Sequence, residues 1–278
     1  MARRWVTVGL LLTLLATAGC EERAASGGRT PPPRSDLPAR VAALGDSITS
    51  GFGSCLVLAI CERNSWATGT GARVNSHLKR IRAGRPTAEG WNVAQAGALA
   101  GQLAGQARRA VKQKPDYVTV QIGANDACRG SISQMTPVAD FRARVDAGLA
   151  VLKAGAPKAR LLVTSIPDMN QLWKVGRENT TVVRIWRLGV CPSLLANATS
   201  DEPADVARRR EFAERVDAYN DALRDACRAY GKRCRYDGGA VHRVRLSLGL
   251  VNKLDYWHPD VDGQNKLAEV TYPRRFTW

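Results

Sequence analysis

From position 40 onward, short apolar runs alternate with longer stretches in which apolar residues return at every third or fourth position. The runs suit buried strands and the stretches suit amphipathic helices, so the alternation predicts an α/β fold on a parallel sheet. Arg40–Leu44 is a short run ending at Gly45 and reads as a buried first strand. Trp91–Ala94 is a weaker second candidate. Asp116–Ile122 (DYVTVQI) and Arg160–Ile166 (RLLVTSI) are rich in β-branched residues, as strands covered on both faces are. Arg233–Tyr236 makes a brief fifth. Phe212, Val216, Tyr219, Leu223, Ala226 and Tyr230 form one stripe on a long helix, and Val138–Leu152 has a similar period. A last helix begins after Pro259 and runs through Leu267 and Val270. Gly97, Gly101 and Gly105, spaced by four, predict a helix packed closely against the sheet.

The first forty residues have another character. Arg3 and Arg4 precede an apolar run from Trp5 to Ala16, shorter than the roughly 20 residues a membrane-spanning helix needs. Residues 1–19 therefore read as an export signal. Ala16-Thr17-Ala18 fits a small-x-small peptidase site. Thr17-Ala18-Gly19-Cys20 fits a lipobox with Thr17 in place of the usual Leu, which would put a lipid on Cys20. Residues 20–38, rich in Pro, Gly, Ser and charge, read as a disordered tether, and 39–278 as one globular domain.

Composition narrows the setting. There are seven cysteines, and without Cys20 six remain, an even set suited to three disulfides in an oxidising compartment. Six cysteines allow 15 pairings. Proximity favours Cys55–Cys61 and Cys227–Cys234, which leaves Cys128–Cys191. No pair has zinc-site spacing and the three histidines lie far apart, so no metal is expected. The net charge is +16, with the cations scattered rather than clustered. That distribution argues against nucleic acid as a partner, and if the basic surface has a use, anionic lipid suits it best.

Candidate chemistry falls where strands give way to loops, the edge at which open parallel sheets hold their sites. Gly45-Asp46-Ser47 follows the first strand, and a serine there can face the crevice with backbone N–H groups nearby. Asn92–Gly97 follows the second, and Gly97 lets a backbone N–H approach a reacting oxygen. Gly123-Ala124-Asn125-Asp126 follows the third. Asp126 can cap the next helix, which leaves the Asn125 amide to donate to a developing oxyanion. In Asp255-Tyr256-Trp257-His258-Pro259, Pro259 holds His258 out of helical geometry and Asp255 can fix its tautomer. His77 reads as a surface residue on a helix and His242 as a loop residue.

These four blocks, GDS, Gly, GxND and DxxHP, come in the order of the SGNH/GDSL hydrolases, and the chain resembles that family from about Arg40 to Val270. The stretch after the serine, SGFGSCLVLAICERNSWATG, is further similar to secreted actinobacterial GDSL lipase and esterase-like proteins. No GxSxG elbow is present, so there is no such likeness to the α/β-hydrolase superfamily. The resemblance implies a three-layer α/β/α sandwich with a mostly parallel sheet of about five strands. It implies Ser47 as nucleophile, His258 as base and Asp255 as its orienter, with an oxyanion hole of Ser47, Gly97 and Asn125. No cofactor is implied. The expected activity is carboxylic ester hydrolysis of the lipase or esterase type, by a secreted or surface-anchored monomer acting on an ester substrate, lipid included. A carbohydrate or cell-wall O-deacetylase and a non-catalytic surface lipoprotein are the alternatives. Residues 167–203, with Trp173 and Trp186, either line an acyl pocket as a lid or close a satellite core.

Overall fold

The computed structural model describes residues 36–278. The export signal, the lipid on Cys20 and most of the tether lie outside them. Five strands, β1 (Arg40–Gly45), β2 (Glu89–Asn92), β3 (Tyr117–Gln121), β4 (Arg160–Val163) and β5 (Cys234–Tyr236), form one sheet in the order β2-β1-β3-β4-β5. Every pairing is parallel. The chain leaves β1 towards β2 on one side and returns to β3 on the other. The carboxyl ends of β1 and β3 therefore flank the point where the strand order reverses, which opens a crevice there.

The pleat divides the core. Ala42, Leu44, Val118, Val120, Leu161 and Val163 are buried in one cluster, together with residues of α2 (Leu103–Val111), α4 (Val138–Gly155) and α8 (Pro203–Tyr230). Val41, Tyr117 and Leu162 alternate onto the other face, where Leu78 and Ile81 of α1 (His77–Gly84) and Phe276 cover them. Helices on both sides of a five-stranded parallel sheet make the expected α/β/α sandwich. The stripe of α8 is buried at all six expected positions. Pro203 starts this helix, where its missing N–H costs nothing, and Gly231 ends it.

Several expectations change. The second strand lies earlier, at Glu89–Asn92, because β1 supplies hydrogen bonds to a segment whose own composition is mostly polar. Gly97, Gly101 and Gly105 do not share a close-packed helix: Gly97 is in a loop, and only Gly105 belongs to α2. The close approach is made by Gly148 of α4, where a Cβ would stand 2.5 Å from Leu103. Leu37 is buried and the Asp36 carboxylate accepts from Phe276 N–H, so the packed domain includes residues assigned above to the tether.

His77 is not a surface residue. It is fully buried, with Nδ1 3.0 Å from the Tyr117 hydroxyl and Nε2 2.9 Å from the Thr271 hydroxyl. Burial pulls its pKa down to about 3, helped by the nearby Arg80, so the ring is neutral at ordinary pH. His242 does lie in a turn, 3.4 Å from Asp217. Trp173 and Trp186 are buried in the main core, their N–H groups donating to Ala198 O and Tyr256 O, so they pack rather than form a lid.

Three disulfides join Cys55 to Cys61, Cys128 to Cys191 and Cys227 to Cys234. The second closes the longest loop, with a sequence separation of 63 against 6 and 7. On the chain-entropy account its loss costs about 4 kcal/mol and the loss of either short bridge about 2. Chemical denaturation of the Cys128→Ala/Cys191→Ala double variant should therefore show the larger loss, with Cys55→Ala/Cys61→Ala the smaller.

Candidate active site

Ser47 sits two residues beyond β1, in a turn closed by Ser50 N–H on Asp46 O and Phe52 N–H on Ser47 O. The chain must leave the strand sharply here. Gly45 has φ 151°, and a Cβ on it would stand 2.2 Å from Gln121 O. Gln106 of α2 holds this exit from beneath, its buried carboxamide bonding both the N–H and the carbonyl of Gly45 at 2.8 Å.

His258 arrives from the far end of the chain. Val251 and Pro259 form an antiparallel bridge, and Asn252 N–H donates to His258 O, which closes the intervening residues into a tight loop. The Asn252 amide also donates to Gly53 O. Tyr256, at φ 50°, reverses the loop so that one Asp255 oxygen accepts from the N–H groups of Trp257 and His258. The other Asp255 oxygen is 2.7 Å from His258 Nδ1. An ionised carboxylate can only accept, so Nδ1 carries the proton and Nε2 is left as an acceptor. Nε2 lies 2.9 Å from Ser47 Oγ, placed to take that hydroxyl's hydrogen. The Phe52 ring packs on the imidazole, with centroids 4.7 Å apart.

Asn125 lies in the short helix α3 (Ala124–Ala127), and its side chain lines the same cleft as Ser47 and His258. Its amide donates to Ala98 O at 3.1 Å. Gly97, at φ 77°, does not itself line that cleft, but its loop is tied to it: Gln95 N–H donates to Gly45 O, and Asn125 holds Ala98. Among the described residues, neither the Ser47 N–H nor the Gly97 N–H donates a hydrogen bond within the chain. The cleft walls are mostly apolar, with Ala124, Met169, Leu172, Leu246 and Trp257 among them. Met169 and Leu172 belong to α5 (Met169–Gly176), so part of the 167–203 segment does face the cleft.

Asp126 does not cap the helix after it. It is buried inside α3, with one oxygen accepting from Ala100 N–H and the other from the Thr136 hydroxyl, and so ties the two loops together. Asp46, beside the serine, is also buried: one oxygen accepts from Ile48 N–H and the other has no partner among the described residues. Burial pushes this carboxyl up to about 7, against the pull of the Ile48 N–H, and the Asp126 charge adds to the rise.

Sequence reasoning missed Gln264. It lies on α9 (Val261–Thr271), fully buried, donating to Ile48 O at 2.8 Å and accepting from Trp66 N–H at 3.0 Å. Its signal was an amide on a stripe with Val261, Leu267, Ala268 and Thr271, a place where helices usually turn an apolar residue inward.

With this geometry, the family model of GDSL-like lipases and acylhydrolases matches residues 41–271. The chain belongs to the GDSL family. In this GDSL protein Ile48 follows the Gly-Asp-Ser block, where the family's eponymous string has Leu, and its side chain helps line the cleft. No curated protein matches the chain. Among solved structures it is similar to LAE5, an alpha/beta hydrolase enzyme from the metagenome of Lake Arreo, Spain, at 18% identity over 84% of this chain and 92% of that one, with a TM-score of 0.50. A family two carbohydrate esterase from Clostridium thermocellum aligns at 12% identity over 83% and 61% of the two chains, with a TM-score of 0.51. Phospholipase A1 from Streptomyces albidoflavus NA297 aligns at 18% identity over 84% and 98%, with a TM-score of 0.49. At these identities the likeness is one of fold.

The buried Asp46 generates a pH prediction. Its folded pKa stands above the ordinary carboxylate value of 3.8, so its contribution to stability is full below about 4 and is lost as pH rises through about 7. His77, whose pKa is depressed, acts in the opposite sense between about 6.5 and 3. The difference between wild type and Asp46→Asn isolates the first effect. Unfolding free energies should show the variant gaining on wild type as pH climbs from 4 to 7, and a constant difference would contradict the burial argument.

Proposed function

We propose that this GDSL protein is a serine hydrolase of carboxylic esters, with Ser47, His258 and Asp255 as its triad. The observation that carries the reading is the unbroken chain of hydrogen bonds from Asp255 through His258 to Ser47, at 2.7 and 2.9 Å. Ser47 Oγ attacks the ester carbonyl carbon while its proton passes to His258 Nε2, and Asp255 stabilises the imidazolium. The oxyanion accepts hydrogen bonds from the Ser47 N–H and from the Asn125 amide, which gives up Ala98 O to do so, and from the Gly97 N–H once its loop closes on the cleft. The tetrahedral adduct then breaks its bond to the alcohol oxygen, which receives the proton from Nε2. Water then gives a proton to the same nitrogen as it adds to the acyl carbon, and the Oγ–acyl bond breaks, Ser47 Oγ taking that proton back as the acid leaves.

The apolar walls contributed by Met169, Leu172, Leu246 and Trp257 suit an acyl chain better than a bare acetyl group, so a lipase or esterase fits this cleft better than an O-deacetylase. The even set of cross-linked cysteines suits an exported protein.

Initial rates on p-nitrophenyl esters of increasing chain length test this. Wild type should prefer chains longer than acetate. Ser47→Ala should lower kcat by a factor of about 10⁴ or more, and Asn125→Ala by about 10² to 10³ with little change in KM. Turnover confined to acetate would support the deacetylase alternative. Rates surviving Ser47→Ala would show the nucleophile to be wrong, and no turnover by wild type would favour a binding role.

A further inference from the structure

Of the eight large hydrophobic side chains exposed among the described residues, four lie in one disulfide-closed loop and a fifth, Leu254, shares a groove with it. Leu56, Val57, Leu58 and Ile60, between 46% and 82% exposed, fill the loop closed by Cys55–Cys61. The base of this loop is joined to the active site. Gly53 N–H donates to Ala59 O, Gly53 O accepts from Asn252, and neighbouring Phe52 packs on His258. Leu254, one residue before Asp255, shares a groove with Leu56. Leu188 precedes Gly189 and Val190, which line a second opening onto His258.

Such a run of apolar residues would ordinarily fold inward, and contiguous exposed apolar surface marks a docking site. The cross-link closes these residues into a tip, and Leu56 adopts φ 69°, a left-handed conformation rare for leucine. The surroundings say what covers the tip. Arg63 and Lys253 share the groove with Leu56, Arg129 lines the second opening, and Arg187 directly precedes Leu188. Of the nearby carboxylates, Asp262 is paired with Arg73, Asp260 caps α9, Glu62 adjoins Arg63 and Asp255 lines the second opening. The surroundings hold five cations against four carboxylates, on a chain of net charge +16. An apolar tip on so basic a chain matches a lipid layer with anionic headgroups.

We propose that the Cys55–Cys61 loop, with Leu254 and Leu188, docks this protein on an anionic phospholipid surface and sets the cleft mouth against it. The inference rests on the ester-hydrolase reading for its purpose, but its test does not. The full chain carrying Cys20→Ser, so that no acyl anchor contributes, is sedimented with vesicles of phosphatidylglycerol and phosphatidylcholine, and with phosphatidylcholine vesicles alone. Binding should favour the anionic vesicles and weaken with added salt. Leu56→Ser/Leu58→Ser/Leu254→Ser should bind more weakly, on the order of tenfold or more, while melting as wild type does. Its turnover of vesicle-borne esters should fall, and its turnover of water-soluble p-nitrophenyl butyrate should not.

Unchanged vesicle binding by the triple variant would overturn the proposal. So would a wild-type dimer that this variant converts to monomer, since the patch would then cover a second copy of the chain. Loop-dependent vesicle binding without any ester turnover would uphold the docking surface and overturn the hydrolase reading instead.

Discussion

The seat of the last helix on the turn after the first strand governs the site. Ser47 and His258 are 211 positions apart in sequence, yet their side chains must meet at hydrogen-bond distance. Buried polar clamps hold the two chain ends together. Gln264 bonds Ile48 O and Trp66 N–H, Asn252 bonds Gly53 O, and the Val251–Pro259 bridge fixes the loop between. Each clamp satisfies backbone groups that would otherwise be buried unpaired, at a cost of about 1–3 kcal/mol each. The same bonds that make α9 a stable part of the fold therefore also set the reach of His258.

The loops on the Asn125 side of the cleft are built on the same logic. Gln106 holds Gly45, Asp126 holds Ala100 and Thr136, and Asn125 holds Ala98, so three loops at the reversal point of the sheet are tied to one another. The Cys128–Cys191 bridge and Ser193, which bonds both Ala127 O and Arg129 N–H, clamp the segment carrying Asn125 onto the 167–203 segment. Two buried carboxyls, Asp46 and Asp126, sit beneath this arrangement with their pKa values raised. The protein accepts their desolvation next to the serine, where polar loops have to be packed tightly.

Much of this was legible in the sequence because strand and helix periods are local. β1, β3 and β4 announce themselves through apolar runs, and α8 through its stripe. The four blocks pointed to Ser47, Gly97, Asn125, Asp255 and His258; the fold brings Ser47, Asn125 and His258 to one cleft with Asp255 behind His258, while Gly97 lies outside that lining. Legibility failed where a residue's environment is set by distant chain. Glu89–Asn92 is a strand only because β1 lies beside it. His77 looks like a surface residue until Tyr117 and Thr271 close over it. Gln264, on a buried helical stripe, gains its meaning only from the turn it meets. The glycine series at 97, 101 and 105 misled for the same reason, since close packing is decided by the partner, here Leu103 against Gly148.

The central claim is that His258 makes Ser47 nucleophilic. A fluorophosphonate probe reacts with an activated serine and leaves a stable phosphonyl adduct, so labelling followed by peptide mass spectrometry tests the claim directly. The account predicts one adduct, on Ser47, formed rapidly by wild type and slowed by several orders of magnitude in His258→Ala. An adduct on another serine, or labelling of Ser47 at the same rate without His258, would contradict it.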